Sequence, residues 1–172
     1  VELAAAEMAT PLATLIAAGA EPVYGDLTDP ASLASACAGV ETVVTMATFT
    51  RRQPPDTIEG VDLQGTLNLI DATRSQNVGR FVYTSLYDSA LDHPVPLFHS
   101  KAVCETRLAE SGMDYVILQP DLFMEVWIGM VVGMPLQAGQ PVTLVGRGDH
   151  RHSFVSEADV AAIAVAAAMD AG

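Results

Sequence analysis

The sequence is short of positive charge. Eight basic residues stand against 21 acidic ones, the formal net charge is −13, and Lys101 is the only lysine. Phosphate contacts require basic patches, so a nucleic-acid partner is excluded as an expectation, and so is docking on an anionic membrane surface. Long apolar runs are also missing. The two best candidates, Phe123–Leu136 and Val160–Met169, are too short to span a bilayer, and the first contains Glu125. No basic stretch followed by an apolar one opens the chain, so no signal peptide is expected and the cytoplasm is the expected compartment. There are two cysteines, Cys37 and Cys104, far apart and without metal-ligand spacing. Two reduced thiols are expected, not a disulfide framework or a metal centre. Internal repeats and low-complexity linkers are absent as well.

What the chain has is hydrophobic residues: 50% of its 172, with only 17% charged. That suffices for one domain with a core and excludes a disordered chain. An alanine-rich helix is expected over residues 1–18, restarted at Thr10-Pro11 and closed by Gly19. Glu21–Gly25 reads as an edge strand because it contains Pro22. Asp29 should cap a helix that starts at Pro30 and ends before Gly39. A strand at Val40–Met46, a long helix at about Thr57–Gln76, and a strand at Arg80–Ser85 follow. Next come a helix from Pro96, a strand at Asp114–Gln119, a Met-rich stretch at Leu122–Met134, and short strands at Val142–Val145 and Ser153–Val155. Ser156 through Asp159 reads as a capping box opening a helix to about Met169. Apolar strands alternating with helices mean a parallel sheet covered on both faces, a doubly wound α/β domain.

The expected chemistry centres on Lys101. Leu97, Lys101, Cys104 and Leu108 share one helical face that is otherwise apolar. A lysine there is costly without a partner, and the plain alternative is an ion pair with Glu105 one turn on. Ser85 ends a strand at the edge where open α/β sheets place ligands, though it could merely cap the strand. Tyr87 lies two residues on, in a loop. His99 should point away from Lys101, toward solvent. Phe123, Met124 and Trp127 are candidates for a substrate pocket or for plain core. Asp149-His150-Arg151-His152 contains an H-x-H pattern that is weak evidence for a metal, and Arg147 or Arg151 could meet a phosphate or substrate.

Several segments in order carry a resemblance: Gly25 through Asp29, Val61 through Ile70, Phe81 through Ser85, Ser100-Lys101-Ala102 through Glu105, Ser111 through Pro120, and Phe154 through Ala161. Together they resemble the atypical and extended short-chain dehydrogenase/reductases, closest to the NmrA-like, NAD(P)-binding group. The resemblance implies a Rossmann-like doubly wound parallel sheet in a single domain over residues 1–172, truncated at both ends, with 121–155 forming a small substrate-side region. The glycine-rich turn (GxxGxxG) of that family occurs nowhere in the chain, nor does its first strand. In the strand order 3-2-1-4-5-6 the sheet would then have a gap between Glu21–Gly25 and Val40–Met46, unless the former moves beside the latter. Exposed apolar edges, and a homo-oligomer, are the expected consequence.

The resemblance also implies roles. Lys101 would hold the nicotinamide ribose and assist proton transfer, Ser85 would orient the substrate oxygen, and Tyr87 or water would serve the proton. Asp26 and Leu27 would border the adenine; Met46, Ala47 and Thr48 would border the cofactor, which is NADP or NAD. Two departures count against catalysis or alter it. Leu97 stands where a YxxxK motif has its tyrosine, a loss usual in the NmrA-like group, and Gln119 stands where relatives often have arginine. The expected function is NAD(P)-dependent reduction of a small carbonyl, quinone or enone-type compound. The alternative is a non-catalytic dinucleotide-sensing or assembly protein on the same fold.

Overall fold

The computed structural model describes residues 12–49, 54–143, 146–147, 149 and 151–170. Its centre is a three-stranded parallel sheet of β1 (Thr42–Thr45), β2 (Arg80–Thr84) and β3 (Asp114–Leu118), in that spatial order. Thr45 lies opposite Tyr83, and Tyr83 opposite Ile117. The crossovers are helices, as parallel neighbours require. The first is α2 (Thr66–Ser75), entered through a wide π-helical turn at Glu59–Gly65; the second is α3 (Pro96–Ala109). α1 (Pro30–Ala36) precedes β1 and is capped by Asp29, whose side chain accepts from the Ala31 N–H at 3.1 Å. The expected long helix from Thr57 is therefore not uniform: its first turns widen where Gly60 and Gly65 lie, a geometry that often marks a functional position.

Alternation along β2 builds two layers. Phe81 and Tyr83 face α2 and α3, where they are buried with Ile70, Cys104 and Leu108. The other face meets α5 (Glu157–Met169), which buries Val160 and Ala164. The Ser156 hydroxyl caps α5, accepting from the Asp159 N–H at 3.0 Å, so the expected start is borne out. Arg80 ties the layers at the other end: it pairs with Asp114 at 2.6 Å and donates to the Ala167 carbonyl at 3.0 Å. Helices on both faces of a parallel sheet make this the expected Rossmann-like α/β architecture.

The structure corrects two expectations. Residues 21–25 form no strand. They run unpaired, with Val23 and Tyr24 67% and 75% exposed, because no described strand lies beside them and Pro22 removes a donor. They have not moved beside β1: among the described residues no strand pairs with its outer edge, and Val44 and Met46 are exposed. The Met-rich stretch contains a two-residue strand, β4 (Leu122–Phe123), then a π-helical segment, Glu125–Gly133, and α4 (Met134–Gln137). β5 (Phe154–Val155) pairs in parallel with β4 as a second small sheet. Thr10-Pro11 and the end of the expected strand Val142–Val145 lie outside the described residues. No described helix is long and apolar enough to cross a membrane.

Candidate functional site

The expected inward face of α3 forms. Lys101, Cys104 and Leu108 are buried, with Lys101 only 3% exposed. Its partner is not Glu105, however. The ammonium lies 3.4 Å from Asp62 Oδ1, 3.4 Å from the Ala47 carbonyl oxygen, and 5.2 Å from the centre of the Tyr83 ring. Asp62 is fully buried, and its other oxygen accepts from the Phe49 N–H at 2.8 Å. Among the described residues nothing hydrogen-bonds to Asp62 Oδ1, so the ammonium alone neutralises it. Glu105 loses the competition because a buried carboxylate facing a buried ammonium must be paired, whereas Glu105 reaches other donors. The sequence held a sign of Asp62: it lies eight residues before Ile70 on the buried face of the second helix, an acid matched to the one lysine.

The loop after β1 is thus fastened over Lys101 at two points, Ala47 and Phe49. Of Met46, Ala47 and Thr48, read as bordering the cofactor, Ala47 is the one that meets the lysine. Leu27 approaches the entrance of α2, and Asp26 sits beside it in the turn before α1, its N–H donating to the Ser32 hydroxyl at 2.9 Å. The Leu27 carbonyl accepts from Asn68 Nδ2 at 2.9 Å, and Leu27 packs so closely on Gly65 that a Cβ there would lie 2.7 Å from the Leu27 Cβ. Asp26 Oδ1 accepts from the Thr28 N–H at 2.8 Å and the Thr28 hydroxyl at 2.7 Å.

Behind the lysine the core is protonated. Burial pushes the Cys104 thiol up to about 11, against the pull of Tyr83 and the Lys101 charge. The thiol donates to the Asp62 carbonyl at 3.4 Å. Burial, and after it Cys104, pushes the Tyr83 phenol well above its ordinary range.

A second cluster forms one turn along α3. The buried Ser85 hydroxyl donates to Glu105 Oε1, and Gln119 Nε2 donates to the same oxygen at 2.9 Å. The Ser85 N–H donates to the Leu118 carbonyl at 2.8 Å, and the Tyr87 N–H to the Pro120 carbonyl at 3.0 Å, extending the pairing of β2 and β3 into the loops. Beyond this cluster opens a cleft of about 510 Å³, with Tyr87, Gln119, Asp121 and Arg151 among its polar lining and Ile117 and Ile163 among its apolar lining. Phe123, Met124 and Trp127 are not in that lining. His99 is half-buried and not solvent-directed, its Nδ1 lying 2.7 Å from the Leu91 carbonyl oxygen. Arg147 pairs with Asp149 at 2.8 Å; His150 lies outside the described residues.

Ser85 and Lys101 thus occupy two clusters on successive turns of one helix, both at the carboxyl ends of the strands, where a doubly wound sheet takes its ligand. The Lys101 contacts are long for charge-assisted bonds, which run at about 2.7–2.9 Å, so the ammonium keeps donor capacity for a further acceptor. A buried ammonium and a buried hydroxyl at the carboxyl ends of the strands are the kind of groups that the ribose of a dinucleotide would need. A glycine-rich pyrophosphate cradle is not among the 172 residues.

This fold and site define a dinucleotide-binding α/β domain. Comparison agrees: the NAD(P)H-binding family matches residues 4–171, and the chain belongs to it. The chain is 34% identical over 149 residues to the photosystem II assembly factor Ycf39 of Synechocystis sp., covering 87% of this chain and 45% of that protein. It is 29% identical to the NAD(P)H azoreductase of Xenophilus azovorans, covering 89% and 49% of the two. Among solved structures, the NADPH complex of the quinone oxidoreductase QOR2 of Escherichia coli superposes with a TM-score of 0.74 at 26% identity, covering 94% of this chain and 53% of that one. The chain spans between about a quarter and a half of the length of the curated relatives it matches.

Proposed function

We propose that this chain is part of an NAD(P)-dependent oxidoreductase of the NmrA-like short-chain type, reducing a small carbonyl, quinone or enone-type compound. The carrying observation is the buried Lys101 ammonium, held against Asp62 and the Ala47 carbonyl at the carboxyl end of the sheet. The azoreductase and quinone oxidoreductase relatives support a reductive role.

The nicotinamide, when bound, supplies hydride. Lys101 orients the ribose by donating to its hydroxyls, and Asp62 fixes where the ammonium stands. In this reading Asp26, Leu27, Met46, Ala47 and Thr48 border the cofactor; Leu27 packs on Gly65 at the entrance of α2, and the Ala47 carbonyl meets Lys101. Tyr87, 61% exposed on the cleft wall, stands where it or a water it holds can serve the proton. Ser85 gives its own proton to Glu105, so as described it meets a substrate oxygen only through its lone pairs; orienting a carbonyl requires its hydroxyl to turn.

That last point, with Leu97 in place of a catalytic tyrosine and the likeness to Ycf39 assembly factors, favours a second reading: dinucleotide binding without turnover. Turnover of an aldehyde, quinone and azo-dye panel with NADPH and NADH separates the two. Reduction of any panel member that is lost in Lys101→Met supports the reductase. Saturable cofactor binding without turnover supports the assembly or sensing reading.

A further inference from the structure

The Gln119 side chain stands between two very different neighbours. Behind it lies Glu105, which already accepts from Ser85; in front lies the cleft. No described cation pairs with Glu105, because Lys101, one turn earlier on the same helix, is committed to Asp62. An ionised carboxylate only accepts hydrogen bonds, so it can hold the Gln119 amide by its nitrogen and not by its oxygen. The amide is planar, and its oxygen is therefore turned away from Glu105. Asp121 stands on the same wall, its carboxylate occupied by the Ser153 N–H at 2.9 Å with the His152 ring 3.7 Å away. This side carries two carboxylates, Asp121 in the lining and Glu105 behind Gln119, against Arg151, the only described cation in the lining.

Resting on the reading that this cleft receives the substrate, we propose that Gln119, positioned by Glu105, is its specificity determinant. The Gln119 oxygen selects, among neutral and largely apolar ring carbonyls and quinones, those that also carry a hydroxyl or amine able to donate a hydrogen bond. It selects against the O-alkylated counterpart and against anions. An arginine at this position would neutralise Glu105 and present a donor instead, reversing the preference.

Binding of three flat probes of nearly equal size tests this without turnover: 2-naphthol, 2-methoxynaphthalene and 2-naphthoate, titrated by NMR against the protein with Tyr87 and Arg151 resonances as reporters. The wild type is expected to bind 2-naphthol about tenfold more tightly than the ether, the worth of one hydrogen bond, and 2-naphthoate least. In Gln119→Leu the naphthol-to-ether ratio falls to about one while the ether's affinity holds. In Gln119→Arg naphthoate becomes the preferred probe. Glu105→Gln, which frees the amide to turn over, reduces the naphthol preference with no change at the cleft wall itself. Equal binding of all three probes to the wild type, or an unchanged preference in Gln119→Leu, overturns the proposal and leaves the substrate cleft standing. If no probe moves the Tyr87 or Arg151 signals, the reading of the cleft itself falls, and the proposal with it.

Discussion

Neutralising both members of the Lys101–Asp62 pair should destabilise the fold by less than the sum of neutralising each alone. At 3.4 Å the Coulomb attraction is about 5 kcal/mol for an effective dielectric constant of 20. That attraction offsets a desolvation cost of several kcal/mol for each ion, and both groups are at least 97% buried by their 3% and 0% exposures. Lys101→Met leaves Asp62 charged, with only the Phe49 N–H among the described residues to hold it; Asp62→Asn leaves an ammonium facing a neutral amide and the Ala47 carbonyl. Each single change should cost about 3–5 kcal/mol, the usual penalty for stranding one buried charge. The double variant Lys101→Met/Asp62→Asn should cost less than the sum of the two by about 2–3 kcal/mol. The assay is equilibrium urea unfolding of the four proteins with m-values compared, since an altered m would signal a changed denatured state. Additive single effects, or a cost below about 1 kcal/mol for Lys101→Met, would refute the buried pair.

Other outcomes follow from the same contacts. Gly65→Ala should cost about 1–3 kcal/mol in urea unfolding despite the better helix propensity of alanine, because the new Cβ would meet the Leu27 Cβ at 2.7 Å and the Gly60 carbonyl oxygen at 2.9 Å. An unchanged midpoint would mean that Leu27 does not pack there. Stability should fall between about pH 9 and pH 11. The Cys104 thiol keeps its proton to about 11 in the folded chain, against an ordinary value of 9.0, so the unfolded chain loses its proton first and is favoured as pH rises. The loss approaches about 1.4 kcal/mol per pH unit across that window, and Cys104→Ala should flatten its lower half, below the range in which Tyr83 adds its own share. Ser156→Ala removes the cap of α5 and should cost about 1 kcal/mol; no change would mean that the helix start is held by other contacts.

Much of this was legible in the sequence, and the failures have physical causes. The parallel strands, the helix from Pro96 and the cap at Ser156 could be read because each is a local pattern: β-branched runs, a Pro at the first turn, and a serine three residues before an acid. The inward placement of Lys101 followed from spacing alone. Its partner did not. The competition between Glu105 and Asp62 is decided by which carboxylate the fold buries, and Asp62 is 39 residues away across a crossover, in a turn whose π-helical widening no period reports. The strand read at residues 21–25 failed for the complementary reason. Local β-propensity cannot supply a neighbour, and without a paired ladder the segment runs exposed. Glu105 and Gln119 were both visible as residues, yet their junction with Ser85 depends on how β2 and β3 end against α3.

The central claim is that Lys101 sits where a nicotinamide cofactor binds. Its most direct test is titration of NADPH and NADH into the protein isolated from its source, with intact mass recorded on the same sample, followed through the fluorescence of the bound nicotinamide. The account predicts saturable binding of at least one of the two cofactors, weakened about tenfold in Lys101→Ala at matched helical content, the equivalent of one lost charge-assisted hydrogen bond. Absence of binding by the source protein, or equal affinity in wild type and Lys101→Ala, would contradict it.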